Sequence, residues 1–203
     1  MVITGIQKRK GFLEALYIDG EYAVDIDRET LLISKLKIGS IIDDEELYDL
    51  IKASNNKRAK ERALYYLSRR DHSKKELIDK LKRNFDKDSA IFAADKMEYL
   101  GLINDESFAK KYAHDLIFIK HHSPQRALRE LIQKGIDKDV AMEVLDNIDP
   151  DIYRQIYGLV ERKYEKYLGD EKGRRKIIAA LQRLGYKWDD IRHVLNEFIK
   201  EDY

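Results

Sequence analysis

One nine-residue pattern occurs three times at intervals of fifty residues, and it constrains the fold more than any other feature of this chain. The copies are SKKELIDKL at residues 73–81, SPQRALREL at 123–131 and GRRKIIAAL at 173–181. Leu131 and Leu181 are fifty positions apart, and so are Gly135 and Gly185. A tandem array of small helical units usually presents a surface that binds something long, not a pocket for chemistry.

Start and stop signals divide the repeated part of the chain into helices. Ser73 and Glu76 form a capping-box pattern, and Ser123 precedes a proline at the first helical position. Glycines at 101, 135 and 185 mark helix ends or turns. We therefore predict three-helix units at residues 57–104, 105–149 and 150–203. Their apolar stripes include Leu77, Ile78, Leu81, Ile91, Phe92, Met97, Leu100, Phe108, Tyr112, Leu116, Leu128, Leu131, Ile132, Ile177, Ile178 and Leu181.

Residues 1–56 read as a mixed segment that differs from the repeats. Two strands, 13–18 and 21–26, flank Asp19 and Gly20, a pair typical of a two-residue hairpin turn. The second strand alternates, with Tyr22, Val24 and Ile26 on one face. We also predict a third strand within 2–8, a short helix near 29–36 and a helix from residue 43. The sequence does not decide whether the polar run 54–56 interrupts or bends this last helix. The fold class is mainly α, with tandem three-helix repeats and a small N-terminal β-hairpin element.

Charge is distributed unevenly along the chain, although the formal net charge is only +1. Residues 11–50 carry eleven acidic and three basic side chains, a net of −8, whereas residues 51–84 carry twelve basic and four acidic ones, a net of +8. A basic segment of this kind favours contact with a polyanion, and the competing interpretation is pairing with acids one helical turn away. The candidate filament and nucleic-acid contacts are Arg69, Arg70, Lys74, Lys75, Lys82, Arg83, Arg126, Arg129, Arg174 and Arg175.

Motifs for catalysis, metal binding and membrane insertion are missing from the sequence. It lacks the common nucleotide-binding, zinc-protease and hydrolase motifs, so we predict a protein that is not an enzyme and uses no cofactor or metal. No cysteine is present, which is compatible with a reducing cytosol, where we expect the protein. The sequence has no long apolar stretch of the kind found in a signal peptide or a membrane span, so we expect neither. Tyr65, Tyr66, Tyr99 and Tyr112 are interpreted as core residues on helical stripes rather than as base-stacking residues.

Three segments in order resemble the RecX family of recombination regulators. They are ALYYLSRRDHSKKEL at residues 63–77, YLGLINDESFA at 99–109 followed by Tyr112, and SPQRALRELIQKGI at 123–136. The resemblance is close over about residues 63–148 and looser in the third repeat and the N-terminal segment. The chain departs from the family's pattern at His121 and His122, where a glycine-containing turn is frequent, and at His72, where an aromatic residue is common.

The resemblance implies a regulator of the RecA recombinase. Family members form an elongated, curved array of three-helix units that binds in the groove of the RecA–DNA filament. There they restrain strand exchange, ATP hydrolysis and coprotease activity. The expected partners are the RecA filament and single- and double-stranded DNA, and we expect a monomer that contacts no membrane. Two alternatives remain open: a tandem helix–turn–helix DNA-binding protein without a recombinase partner, and a helical scaffold that binds another protein.

Overall fold

A computed structural model describes the backbone of residues 1–201 and the side chains of residues 1–198. The chain forms two compact units, Met1–Asn104 and Asp105–Tyr203. The first unit contains a three-stranded sheet followed by helices, and the described part of the second unit is helical. The predicted mainly helical fold, with tandem three-helix groups after a small N-terminal sheet, is confirmed.

The sheet is antiparallel, with strands β1 (Ile3–Lys8), β2 (Leu13–Ile18) and β3 (Glu21–Asp27) in that spatial order. Asp19 and Gly20 join β2 to β3 with φ values of 50° and 92°. A two-residue turn with positive φ at both positions matches the right-handed twist of the strands, which explains why aspartate and glycine stand there. The predicted hairpin and third strand are confirmed, and Ile41 adds an isolated bridge to Val2.

Strand β3 follows the predicted alternation only in part. Val24 and Ile26 contribute to the core between the sheet and the helices, but Tyr22 is 52% exposed, so its predicted inward position is wrong. Asp27, predicted on the opposite face from these residues, is buried. Its carboxylate lies 2.6 Å from the Lys57 ammonium, and its backbone N–H donates to the Ser54 hydroxyl at 2.8 Å. Burial is tolerated there because a neighbouring helix supplies the opposite charge.

Helices α1 (Arg28–Ser34) and α2 (Asp44–Leu67) follow the sheet. Asp43 and Glu46 cap α2 reciprocally through side-chain bonds to each other's backbone N–H. The helix then continues through the polar run 54–56 without a break. Ser54 is buried and accepts a hydrogen bond from β3. The polar run therefore does not interrupt the helix, and its first residue, Ser54, contacts the sheet.

The first three-helix group comprises the later part of α2 with α3 (Lys74–Leu81) and α4 (Lys87–Tyr99). Small residues dominate its core, which includes Ala59, Ala63, Ala90, Ala93 and Ala94 around Leu77, Leu81 and Met97. Alanine allows two helix backbones to approach closely. Phe92 lies off the buried face of α4 and Leu100 follows the end of the helix, at 45% and 52% exposure, so their predicted place in the apolar stripe is wrong.

The second unit contains two further three-helix groups. The first has α5 (Asp105–His114) with a π-helical turn at Asp115–Ile119, then α6 (Pro124–Gln133) and α7 (Lys138–Asp146). The other has α8 (Ile152–Leu159), a π-helical turn at Val160–Tyr164 and a short 3₁₀ turn at Glu165–Tyr167, then α9 (Glu171–Arg183) and α10 (Trp188–Glu201). The two groups share their order of elements, including the π turn after the first helix.

Equivalent repeat positions have equivalent environments in these two groups. Leu131 in α6 and Leu181 in α9 are both fully buried. Gly135 and Gly185, in the turns that follow, have φ values of 86° and 92°. Ser123 caps α6 and Ser73 caps α3, as predicted. Ile132 is 42% exposed, which contradicts its predicted inward position, and Ala127 is buried in that helix instead.

The third copy of the pattern begins differently from the other two. Asp170 caps α9, so the helix starts before the aligned glycine, and Gly173 lies inside its first turn. A side chain at Gly173 would overlap the Tyr167 carbonyl oxygen. The glycine therefore allows the preceding turn to pack against the start of α9, a role that neither Ser73 nor Ser123 has.

Candidate nucleic-acid interface

Four predicted contact residues surround the corner between α2 and α3, and carboxylates engage three of them. Arg70 forms two hydrogen bonds of 2.9 Å with the Glu76 carboxylate. Lys74 lies 2.7 Å from both Asp95 and Glu98 on α4, and these bonds raise the pKa of its ammonium group. Lys75 pairs with Asp79 one turn along α3 at 3.0 Å. Their charges are therefore partly neutralised within the first unit.

Arg69, Lys82 and Arg83 are the predicted cations of this unit that form no ion pair with the described residues. The Arg69 guanidinium lies 5.3 Å from the centre of the Tyr65 ring. Lys82 and Arg83 are exposed directly after the end of α3. The negative end of the helix macrodipole favours cations at such a position. Their side chains keep their full charge for an external anion.

The predicted arginines of the second unit each bond to nearby protein groups. Arg126 donates to the Arg183 carbonyl at the end of α9 and lies 3.5 Å from Glu130. Arg129 donates to the carbonyl of residue 125, and Arg174 to that of residue 168. Arg175 pairs with Glu171 one turn earlier. Arg126 thus connects two three-helix groups, a role that the sequence pattern did not indicate.

Exposed aromatic residues beside cations are a feature that the sequence interpretation missed. Tyr66 and Tyr112 are half-buried, but Tyr65 is 49% exposed and Tyr99 81%, so the predicted core position is wrong for these two. Arg62 lies 5.9 Å from the Tyr65 ring and Lys96 lies 4.6 Å from the Tyr99 ring. In both pairs the cation precedes the tyrosine by three residues, and that helical spacing is the signal that could have revealed them.

Buried histidines stand before two of the serine caps, fifty residues apart. His72 is 3% exposed and His122 is 9% exposed. The His72 Nδ1 lies 2.8 Å from the Arg70 carbonyl, which can only accept, so Nδ1 carries the proton and Nε2 accepts from Lys80 at 2.8 Å. Burial lowers the pKa of both histidines, and for His72 the neighbouring Arg70 and Lys80 charges add to the effect. Both rings are therefore neutral at pH 7.

The described residues contain neither a cluster of metal ligands nor a helix that could span a membrane. No three His, Asp or Glu side chains in residues 1–198 lie where they could hold a metal ion together. Across the described helices, none combines the length and the apolar content of a membrane span.

Comparison with known proteins shows that three family models match the chain in order. They describe the first, second and third three-helix domains of RecX, and they match residues 59–91, 104–145 and 149–195. This chain belongs to the RecX family. A "Regulatory protein RecX" of Clostridium beijerinckii is 30% identical over 97% of this chain and 94% of its own length. Another, of Clostridioides difficile, is 29% identical over 99% and 97%.

Solved structures have the same fold. The crystal structure of a regulatory protein RecX superposes with a TM-score of 0.63, at 21% identity, over 96% of this chain and 98% of its own. RecX from Lactobacillus salivarius gives a TM-score of 0.58, at 26% identity, over 71% and 97%. The relatives are called regulatory proteins, which is a description of control rather than of a reaction.

His121, where the chain departs from the family pattern, has an unusual backbone conformation. His121 has a φ of 54°, a left-handed conformation that favours glycine. Its carbonyl accepts a hydrogen bond of 2.9 Å from the hydroxyl of Tyr186, whose pKa burial raises to about 12. Tyr186 follows the α9–α10 turn, so this bond ties the first residues before α6 to the last three-helix group.

Proposed function

We propose that this protein regulates the RecA recombinase by binding in the groove of the RecA–DNA filament, where it restrains strand exchange, ATP hydrolysis and coprotease activity. The observation that carries the proposal is the ordered match of all three RecX domains along residues 59–195. Repeated helical units suit a long, regular partner because each unit can make the same type of contact. We propose the segments 1–56, 57–104, 105–149 and 150–203 as the functional divisions, acting in a monomer.

The cations without an internal partner are the best candidates for contacts with filament or DNA phosphates. Among the described residues, Lys82 and Arg83 meet this criterion, and Arg69 meets it apart from its contacts with Tyr65, whose ring centre lies 5.3 Å from the guanidinium and whose hydroxyl lies 3.5 Å from it. Surface cations near phosphates add affinity in proportion to the counterions that they release. Arg70 and Lys74 would first have to exchange the internal carboxylates described above.

The proposal is tested by RecA-dependent ATP hydrolysis on single-stranded DNA, with and without this protein. We expect inhibition at near-stoichiometric or lower amounts, together with slower strand exchange, and no ATP hydrolysis by this protein alone. Unchanged hydrolysis and exchange without detectable binding to the filament would contradict the proposal. Tight binding to a specific duplex sequence under those conditions would instead favour the alternative of a DNA-binding protein without a recombinase partner.

A charge-removal pair tests the proposed contact residues. Lys82→Gln with Arg83→Gln should weaken filament binding and flatten its log–log salt dependence by roughly one unit for each lost contact. The matched control is Lys87→Gln with Lys138→Gln, which removes the same charge from exposed helix starts outside the predicted set. Equal affinities and slopes for both variants would move the binding face elsewhere. Reversal of Arg70 and Lys74 is less informative, because it also breaks the ion pairs with Glu76, Asp95 and Glu98.

A further inference from the structure

A concave surface with a volume of about 410 Å³ lies in the first unit, between the β1–β2 loop and α2. We propose that this loop–helix pocket binds unpaired bases of a single-stranded nucleic acid. Its lining includes Lys10 and Phe12 from the loop, Arg58, Arg62 and Tyr65 from α2, Phe85 beyond α3, and the two acidic residues Asp27 and Glu61. Its size is within the range of pockets that hold small organic groups. None of these residues was among the predicted contacts.

Phe12 is an exposed ring on a fixed backbone. The loop is closed by a 2.9 Å hydrogen bond from the Arg9 N–H to the Leu13 carbonyl, and the Phe12 carbonyl accepts from the Arg28 N–H at 2.8 Å. The side chain is nevertheless 76% exposed, and it contacts no other ring or cation among the described residues. A phenylalanine held in this way offers an open aromatic face without loss of loop entropy on binding.

Cations and rings alternate on the opposite wall of the pocket. The Arg58 guanidinium lies 5.7 Å from the centre of the Phe85 ring, and the Arg62 guanidinium lies 5.9 Å from that of Tyr65. Neither arginine forms an ion pair with a described carboxylate. Rings and guanidinium planes are the groups on which proteins stack single-stranded bases, while the charges attract the phosphates between them.

Two of the lining residues, Asp27 and Glu61, are acidic, and both lie close to the ammonium group of Lys57. Asp27 lies 2.6 Å from the Lys57 ammonium, and Glu61 lies 3.8 Å from the same group. Glu29 is a third partner of Lys57, at 2.6 Å. One ammonium group thus serves three carboxylates, and the lining cations Lys10, Arg58 and Arg62 exceed the two lining acids by one charge, so the pocket keeps a net positive charge.

The combination favours a single strand over the other polyanions. In a duplex the base faces are covered by their neighbours, so an open ring such as Phe12 has nothing to stack on. An acidic peptide would satisfy the three cations, but it gives no role to the exposed ring. This inference rests on the proposed function in one respect only, which is that DNA is a partner of the protein. It requires no recombinase, however, so the two can fail separately.

Fluorescence anisotropy of a labelled thymidine oligonucleotide tests the proposal, with the full-length protein and no RecA. Phe12→Ala should weaken binding roughly tenfold, the lower part of the range for loss of one base stack, without changing the salt slope. Arg62→Gln should weaken binding and also flatten the slope, by about 0.7 for a single strand. Phe12→Trp should retain affinity, because it preserves the stacking face.

Tyr48→Ala is the matched control. Like Phe12, Tyr48 has an exposed aromatic ring, at 60% exposure. It lies on α2, with its ring centre 5.8 Å from the Lys52 ammonium, and it does not line the pocket. We expect this variant to bind like the unmodified protein, with circular dichroism as the folding check for all four. The proposal is overturned if Phe12→Ala and Tyr48→Ala bind equally well, if the unmodified protein does not bind the oligonucleotide at low salt, or if polyglutamate binds with the same dependence on Phe12. If the unmodified protein has no effect on RecA but binds the oligonucleotide in a Phe12-dependent way, only the proposed function is contradicted.

Discussion

Replacement of Gly185 by alanine should destabilise the second unit far more than its backbone conformation alone would predict. Gly185 lies in the turn between α9 and α10, which packs against the start of α6. Its φ is 92°, and an added Cβ would lie 2.5 Å from the Ser123 hydroxyl and 2.7 Å from the Arg126 Cβ. Gly101 provides the comparison, since its φ is 71° but a Cβ there would meet nothing within 4 Å.

The difference between the two substitutions can be estimated from the bonds at risk. Alanine in a left-handed conformation costs about 1 kcal/mol, and this cost applies to both glycines. At Gly185 the clash also displaces Ser123, which caps α6, accepts from the Arg126 N–H at 3.2 Å and donates to the Gly185 carbonyl at 2.8 Å. Loss of the cap and of that bond costs about 1 kcal/mol each. We therefore expect about 3 kcal/mol for Gly185→Ala and about 1 kcal/mol for Gly101→Ala.

Urea unfolding measures both values. Trp188 is the only tryptophan of the chain and stands at the start of α10, so its emission reports on the unit that contains Gly185. With a slope of about 1.5 kcal/mol per molar urea, the Gly185→Ala midpoint should fall by about 2 M. Gly101→Ala, followed by circular dichroism, should lose about a third of that.

Equal losses of free energy in the two variants would refute this reasoning, because the contact with Ser123 would then have no cost. A double-mutant cycle gives a second check. Ser123→Gly removes the clashing hydroxyl and keeps most of the capping preference, so it should recover about 1 kcal/mol in the Gly185→Ala background. Strictly additive losses would show that the two residues are not coupled.

Two further predictions concern stability. Burial holds the pKa of His72, His121 and His122 below the usual value of about 6.5, so the unfolded chain binds more protons than the folded one below that pH. The stability that these neutral rings contribute is present above about pH 6.5 and is lost as pH falls toward their folded pKa. Urea midpoints measured from about pH 7 to 5 should therefore fall, and they should fall less steeply in His72→Phe and His122→Phe. Equal pH dependence of the midpoints in the variants and the unmodified protein would contradict this prediction. Gly173→Ala should lower the free energy of unfolding by about 2 kcal/mol, because the added Cβ would overlap the Tyr167 carbonyl oxygen, although alanine usually stabilises a helix interior. A higher urea midpoint, followed by Trp188 emission, would show that no such overlap exists.

The sequence alone determined the features that depend on neighbouring residues. Asp19 and Gly20 specify their turn because few other pairs adopt positive φ at both positions. Ser73 and Ser123 specify helix starts because a hydroxyl satisfies a free backbone N–H two or three residues on. The repeat of fifty residues and the ordered signatures were sufficient to indicate the family.

Tertiary structure decided which side chains are buried and which charges remain available. Asp27 is buried because Lys57, thirty residues later, lies beside it. Arg126 bonds to a carbonyl in a different three-helix group. Phe12 joins a pocket with α2 only when the sheet packs on that helix. Burial and pairing depend on residues far apart in the chain, and local patterns carry no information on which of them meet.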